Sequence, residues 1–121
     1  MSDNPHVVLE SDNLLRRIPL KPSHIFQGRI TSACFKTKAG EDGLSVDIEA
    51  LVKTILESYN PETHTLARLS ASIPIELGYE CKHDPIDGNF AHALIVGDTN
   101  PIAKKLALAA QPIEPSSLPS F

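Results

Sequence analysis

The chain has 121 residues, 41% hydrophobic and 21% charged, the balance of a globular protein with one small core and too apolar for a disordered chain. Eleven Lys and Arg against fifteen Asp and Glu leave a net charge of -4, which argues against a nucleic-acid backbone as partner. No run reaches the roughly eighteen apolar residues of a membrane span, and the acidic start MSDNPH is unlike a signal peptide, so the expected location is cytoplasmic, with no membrane partner.

Residues 1–13 read as a polar N-terminal arm with a short apolar stretch at Val7 to Leu9. Leu14 to Leu20 suits a short strand ended by Pro19, and Pro22 keeps the following segment extended. Arg29 to Thr37, between Gly28 and the turn Ala39 to Gly43, carries the β-branched and aromatic residues of a second strand. Leu44 to Val46 then leads into an expected helix. Asp47 is its candidate N-cap, Ile48, Leu51, Val52, Ile55 and Tyr59 form its apolar stripe, Glu49 and Lys53 make an i, i+4 pair, and Asn60-Pro61 stops it.

Asn60-Pro61 is also a helix-start signal, so a further helical turn is expected there. From Leu69 the period changes to two: Leu69, Ala71, Ile73, Ile75, Leu77, Tyr79 and Cys81 alternate with mostly polar residues. Pro74 and Gly78 interrupt that alternation, which predicts a strand to about Ala71, a helical turn over Ser72 to Leu77, and another strand from Tyr79 to Asp84. Pro85 to Phe90 is a turn by composition, since Asp87-Gly88-Asn89 tolerates positive φ. Ala91 to Val96 is apolar at every position but His92, as in a strand covered on both faces. Asn100-Pro101 starts a helix with Ile102, Ala103, Leu106, Ala109 and Ala110 inside and Lys104 and Lys105 outside.

The sum is an α+β domain over residues 14–110, with a mainly antiparallel sheet of about four to five strands and two principal helices on one face. Residues 111–121 are expected to form a flexible proline-rich tail. Cys34 and Cys81 are too few for a disulfide framework and sit inside apolar alternations, as buried thiols do.

One local constellation points to chemistry. A hairpin closing the six-residue loop pairs Asp84 with Ala91, and so places His83 opposite His92, Cys81 opposite Leu94 and Tyr79 opposite Val96. Directly opposed side chains have Cβ atoms about 5 Å apart, close enough for two imidazoles to share a proton or an anion. His83 and His92 are therefore the candidate catalytic pair, with Asp84 and Asp87 as candidate binding residues beside them. Ordinary polar strand ends are the plainer reading of the same histidines. A metal set of Cys81, His83 and His92 lacks a clear fourth ligand, and neither a metal nor a cofactor is expected. A one-residue slip of register sends the two rings to opposite faces and removes the shared chemistry.

Arg16 or Arg17, then Ser45 in Leu44-Ser45-Val46-Asp47, then Glu76 or Glu80 follow an order that resembles the Arg, Ser, Glu triad of ADP-ribosyltransferases. That resemblance implies dinucleotide binding by Arg16 or Arg17 and Ser45, and activation by the glutamate. No Ser-Thr-Ser run or paired-glutamate turn accompanies it, and Gly40-Glu41-Asp42-Gly43 is too acidic for a phosphate loop. More broadly, Leu15-Arg16-Arg17-Ile18-Pro19, Ser32-Ala33-Cys34-Phe35, Leu44-Ser45-Val46-Asp47, His83-Asp84-Pro85 and Ala91-His92-Ala93-Leu94 resemble segments of a group of small bacterial proteins to which no activity attaches. It implies a bacterial, stand-alone soluble domain.

Without a stronger signature, the expected role is that of an accessory or regulatory protein that binds a protein partner or a second copy of itself. An apolar patch around Phe26, Phe35 or Phe90 would serve it. The alternative is a small hydrolase or transferase centred on His83 and His92.

Overall fold

The computed structural model describes residues 7–52 and 62–113. Within them, alternating apolar residues fold into strands β1 (Asn13–Pro19), β2 (Ile25–Phe26), β3 (Arg29–Ile30), β4 (Gly43–Ile48), β5 (His64–Ser70), β6 (Cys81–His83), β7 (His92–Val96) and β8 (Gln111–Ile113). Six of them form one sheet in the order β6-β7-β4-β1-β5-β8, every pairing antiparallel. The other two, β2 and β3, make a hairpin whose turn residues Gln27 and Gly28 both have positive φ, 51° and 76°, the geometry that matches the strands' twist.

One sheet face carries the main core. Leu14 and Ile18 of β1, Leu44, Val46 and Ile48 of β4, Ala67 and Leu69 of β5, and Ala93 and Ile95 of β7 are all buried there. Two elements close over them: a 3-10 turn at Ser32–Phe35, and a 3-10 turn at Asn100–Ile102 that continues as an α-helix at Ala103–Ala109. A five-residue helix, α1 (Ser72–Glu76), bridges β5 and β6; the longer one is α2 (Ala103–Ala109). The opposite face holds a smaller cluster of Leu15, Val52, Leu66 and Ala91, with Leu51 and Ile113 against it.

The α+β class and the antiparallel sheet are as expected, but the sheet has six strands, and the described part holds one helix of any length, running from Asn100 to Ala109. The helix expected from Asp47 is replaced by β4 continuing to Ile48 and a single 3-10 turn at Glu49–Leu51. Val46 and Ile48 enter the main core on alternate positions, and Asp47 between them finds partners in Arg17 of β1 and Asn89 of the turn before β7 instead of capping a helix. Ile55, Tyr59, Lys53 and Asn60-Pro61 lie outside the described residues.

Arg29 to Thr37 is a strand only at Arg29–Ile30. Cys34 and Phe35 are consecutive and both buried, at 1% and 0% exposure, which a pleated strand cannot arrange because neighbours point to opposite faces. The 3-10 turn does so, and Thr99, itself fully buried, donates its hydroxyl to the Phe35 carbonyl.

Both ends of the expected domain also extend. Asn13 begins β1, Val8 packs on the core and the Asp12 carbonyl accepts from Ala71 N–H, so the described part of the arm is tied down. At the other end Gln111–Ile113, expected in the tail, is the edge strand paired with β5.

Candidate functional site

The hairpin formed by β6 and β7 decides the fate of the histidine pair. At its tip, Ile86 and Asn89 face each other and exchange backbone hydrogen bonds, which is the register expected from the loop length. Within the strands the register is one residue different: Cys81 faces Ile95, Lys82 faces Leu94 and His83 faces Ala93. An extra residue has therefore entered the β7 side between Asn89 and Ala93, as in a β-bulge. Asn89 explains it: its side-chain oxygen accepts the Ala91 N–H at 3.1 Å, taking a donor that a regular ladder would use.

The consequence is that His83 and His92 occupy opposite faces, so the candidate catalytic pair does not form and Cys81 and His83 do not share a face with His92. His83 is 4% exposed, its Nε2 is 2.6 Å from the Phe90 carbonyl and its ring meets that of Phe90 edge-on. Cys81 shares the face of His83, with its thiol pushed up to about 11 by burial first and Glu80 second. His92 instead sits 2.8 Å from the Asp84 carbonyl through Nδ1, with an Asp84 carboxylate oxygen at 3.3 Å. Asp87 is exposed on the turn.

Several other sequence-chosen residues do come together. β1 pairs with β4 only at Leu14 with Ile48 and Leu15 with Asp47; beyond that point β1 stays paired with β5 alone. The gap so opened is a cleft of about 60 Å³, lined by Leu15, Arg16, Arg17, Ser45, Val46, Asp47 and His92. Arg16 spans it, donating from Nε to the Cys34 carbonyl at 2.9 Å and from Nη1 to the Ser45 carbonyl at 2.7 Å. It thus satisfies two backbone acceptors that no strand partner reaches.

Asp47, whose sequence position suggests a helix cap, organises the cleft. It is 5% exposed, in ladder register with His92, and holds Arg17 Nη2 at 3.0 Å on one carboxylate oxygen and Asn89 Nδ2 at 2.8 Å on the other. A buried carboxylate needs such partners to stay ionised without a large penalty. The sequence signal was its place between Val46 and Ile48, an acid at a strand position flanked by two core residues.

Chemically, the cleft sets the Arg17 guanidinium, neutralised by Asp47, on the same sheet face as Ser45 and His92, while Arg16, one residue earlier on β1, leaves by the main-core face towards the Cys34 carbonyl. Glu76 and Glu80 do not line it, so the third member of an Arg, Ser, Glu arrangement is missing. Its size is also below the roughly 300–1,000 Å³ of small-molecule pockets, and a dinucleotide does not fit. Among the described residues no three His, Cys, Asp or Glu side chains gather as a metal site, and no helix is long and apolar enough to cross a membrane.

The surface around these residues is uneven. Phe35 is fully buried, while Phe26, Ile86 and Phe90 are 58%, 51% and 51% exposed. Ile86 and Phe90 share the turn whose Asn89 is bonded to Asp47 at the cleft. Comparison with models of known protein families, with curated proteins and with solved structures finds no match.

Proposed function

We propose that the chain is a small cytoplasmic accessory protein that acts by protein-protein association, with the turn from Pro85 to Phe90 as its docking element. The observation that supports this reading is a pair of large apolar side chains, Ile86 and Phe90, held half in solvent on a turn fastened at Ile86, Asn89 and Phe90. Ile86 and Asn89 bond to each other, Asp84 N–H reaches the His92 carbonyl, and the Phe90 carbonyl lies on the His83 ring. Ordering a loop is a large part of the cost of association, and here that cost is met before a partner arrives. Apolar anchors on a preorganised turn are the features that dominate binding energy in small interfaces.

The partner is a protein offering an apolar recess, either another chain or a second copy. Sedimentation over a range of concentrations tests the second copy, and a photoreactive side chain at position 86, activated in cells, tests another protein. The expected result is a dimer weakened about tenfold or more by the double substitution Ile86→Ser with Phe90→Ser, or a discrete crosslinked species from position 86 that Phe90→Ser weakens. A chain that stays monomeric and also gives no discrete crosslink would refute association through this turn.

A further inference from the structure

Charge is divided unevenly along the chain. Residues 13–40 hold Arg16, Arg17, Lys21, Arg29, Lys36 and Lys38 and no Asp or Glu, in a chain whose net charge is -4. The β2–β3 hairpin belongs to this segment. It pairs Ile25 with Ile30 and Phe26 with Arg29, and directly opposed residues share a face. Ile25 and Ile30 pack against the main core, so Phe26 and Arg29 turn outward together, and both are exposed. Among the described residues no carboxylate lies within ion-pair distance of Arg29. The base of the hairpin is basic too, since burial first, then Lys21 and Arg16, lower the pKa of His24. Thr31 fastens it, with its N–H on the His24 carbonyl and its hydroxyl on the Ser23 carbonyl.

The docking turn has the opposite sign. Asp84 to Phe90 contains two acids, Asp84 and Asp87, and no cation; the nearest before it is Lys82 on β6. Asp87 is exposed beside Ile86, and Ile86 and Phe90 are exposed with it. The two elements are alike in build: Gln27-Gly28 and Asp87-Gly88 each sit between paired residues, and an exposed apolar side chain precedes each. Phe26 and Phe90 both remain in solvent, so within one chain neither element covers the other. Between two chains, hairpin on hairpin would set Arg29 near Arg29, and turn on turn Asp87 near Asp87. Turn on hairpin is the combination in which apolar contact and charge agree.

We propose that the Pro85 to Phe90 turn of one copy docks on the β2–β3 hairpin of a second copy, with Ile86 and Phe90 packed against Phe26 and with Asp87 facing Arg29. This rests on the docking turn proposed above and names its partner surface. The contact is heterologous, so each dimer keeps one turn and one hairpin for a further copy unless the rotation closes a ring.

The test is sedimentation of the full chain at low salt over a range of concentrations, for wild type, Arg29→Glu, Asp87→Lys and an equimolar mixture of the two variants. Wild type should self-associate, and each variant alone should do so roughly tenfold more weakly. The mixture should regain the association, because Asp87 of one variant then meets Arg29 of the other. Phe26→Ser should also weaken it about tenfold or more. Lys105→Asp, on the exposed side of α2, changes the net charge as much as Arg29→Glu does and should associate as wild type. The exchanged charges are at exposed positions, and a melting curve of each variant reports folding. A monomeric wild type, Phe26→Ser or Arg29→Glu associating as wild type, a mixture no stronger than its components, or equal weakening by Lys105→Asp would each overturn the proposal. Association that Ile86→Ser with Phe90→Ser weakens and Phe26→Ser does not would overturn it while the docking turn itself stood, as would a monomeric chain that still gives a discrete crosslink from position 86.

Discussion

Single side chains in this protein are settled by what the strands place beside them. Asp47 has the composition of a helix cap and the surroundings of a sheet residue, and its two carboxylate oxygens are divided between Arg17 and Asn89. Cys81 shows the same dependence for a neutral group. Its side chain packs against the main core from the edge strand β6, where a thiolate is poorly solvated. Its pKa is raised from 9.0 to about 11, so the folded state holds its proton more tightly than the unfolded one. Its contribution to stability is therefore intact below pH 9 and lost as the pH rises towards 11. In a Cys34→Ser background, which leaves Cys81 as the one thiol, reaction with an aromatic disulfide at pH 8 should be roughly a hundred-fold slower than in denaturant. The native rate should climb with a midpoint near 11. A midpoint near that of the denatured chain would show that the thiol is not perturbed.

Elements in this fold depend on backbone approach as much as on side-chain pattern. Gly43 begins β4 opposite Val96, so close that a Cβ there would strike the Ile95 carbonyl and lie 3.0 Å from the Val96 Cα. Both obstacles are backbone, which cannot rotate aside. Gly43→Ala should therefore push β4 from β7 and cost about 1–3 kcal/mol, read as a lower urea midpoint at unchanged slope. An unchanged midpoint would mean that the two strands separate freely. The same level explains what could be read in advance. Strand β1, the helix from Asn100 and the turn at Pro85 to Phe90 follow from residues whose preferences act locally. The lower strand count and the expected helix at Asp47 failed because β4 is specified by its neighbours: Ile48 N–H bonds to the Ala91 carbonyl, and Asp47 to residues on two other segments. The histidine register failed for a finer reason. Loop length predicted the tip pairing of Ile86 with Asn89, but the displaced Ala91 N–H depends on one side-chain oxygen of Asn89. Arg17 and Ser45 share a sheet face while Arg16 takes the other, as strand alternation requires, yet the cleft exists because β1 and β4 part after Leu15 and Asp47, which no residue pattern announces.

Across the whole molecule, the sheet edges determine where the folded unit ends. β5 is a seven-residue strand paired along its full length with β1 on one side, and on the other only with the three residues of β8. Composition places a boundary at Ala110, because Pro112 and the residues after it read as a tail. Proline fits there for a physical reason: β8 is an edge strand, where a missing N–H goes unnoticed. Ile113 faces Leu66 across the ladder and packs on the smaller cluster with Leu15, Val52 and Ala91. A chain ending at Ala110 would lose those ladder bonds, the Ile113 contact and the cover of β5, whose N–H and C=O groups would then form an open template for pairing with another copy. The expected outcome is a melting temperature lower by several degrees, together with light scattering that rises with protein concentration near the transition. Restoring residues 111–113 alone should recover most of the loss, and Ile113→Ser in the full chain should reproduce the destabilisation with less of the scattering, since the edge stays covered. If the chain ending at Ala110 melts as the full chain does, β8 contributes no cover of consequence and the boundary read from composition stands.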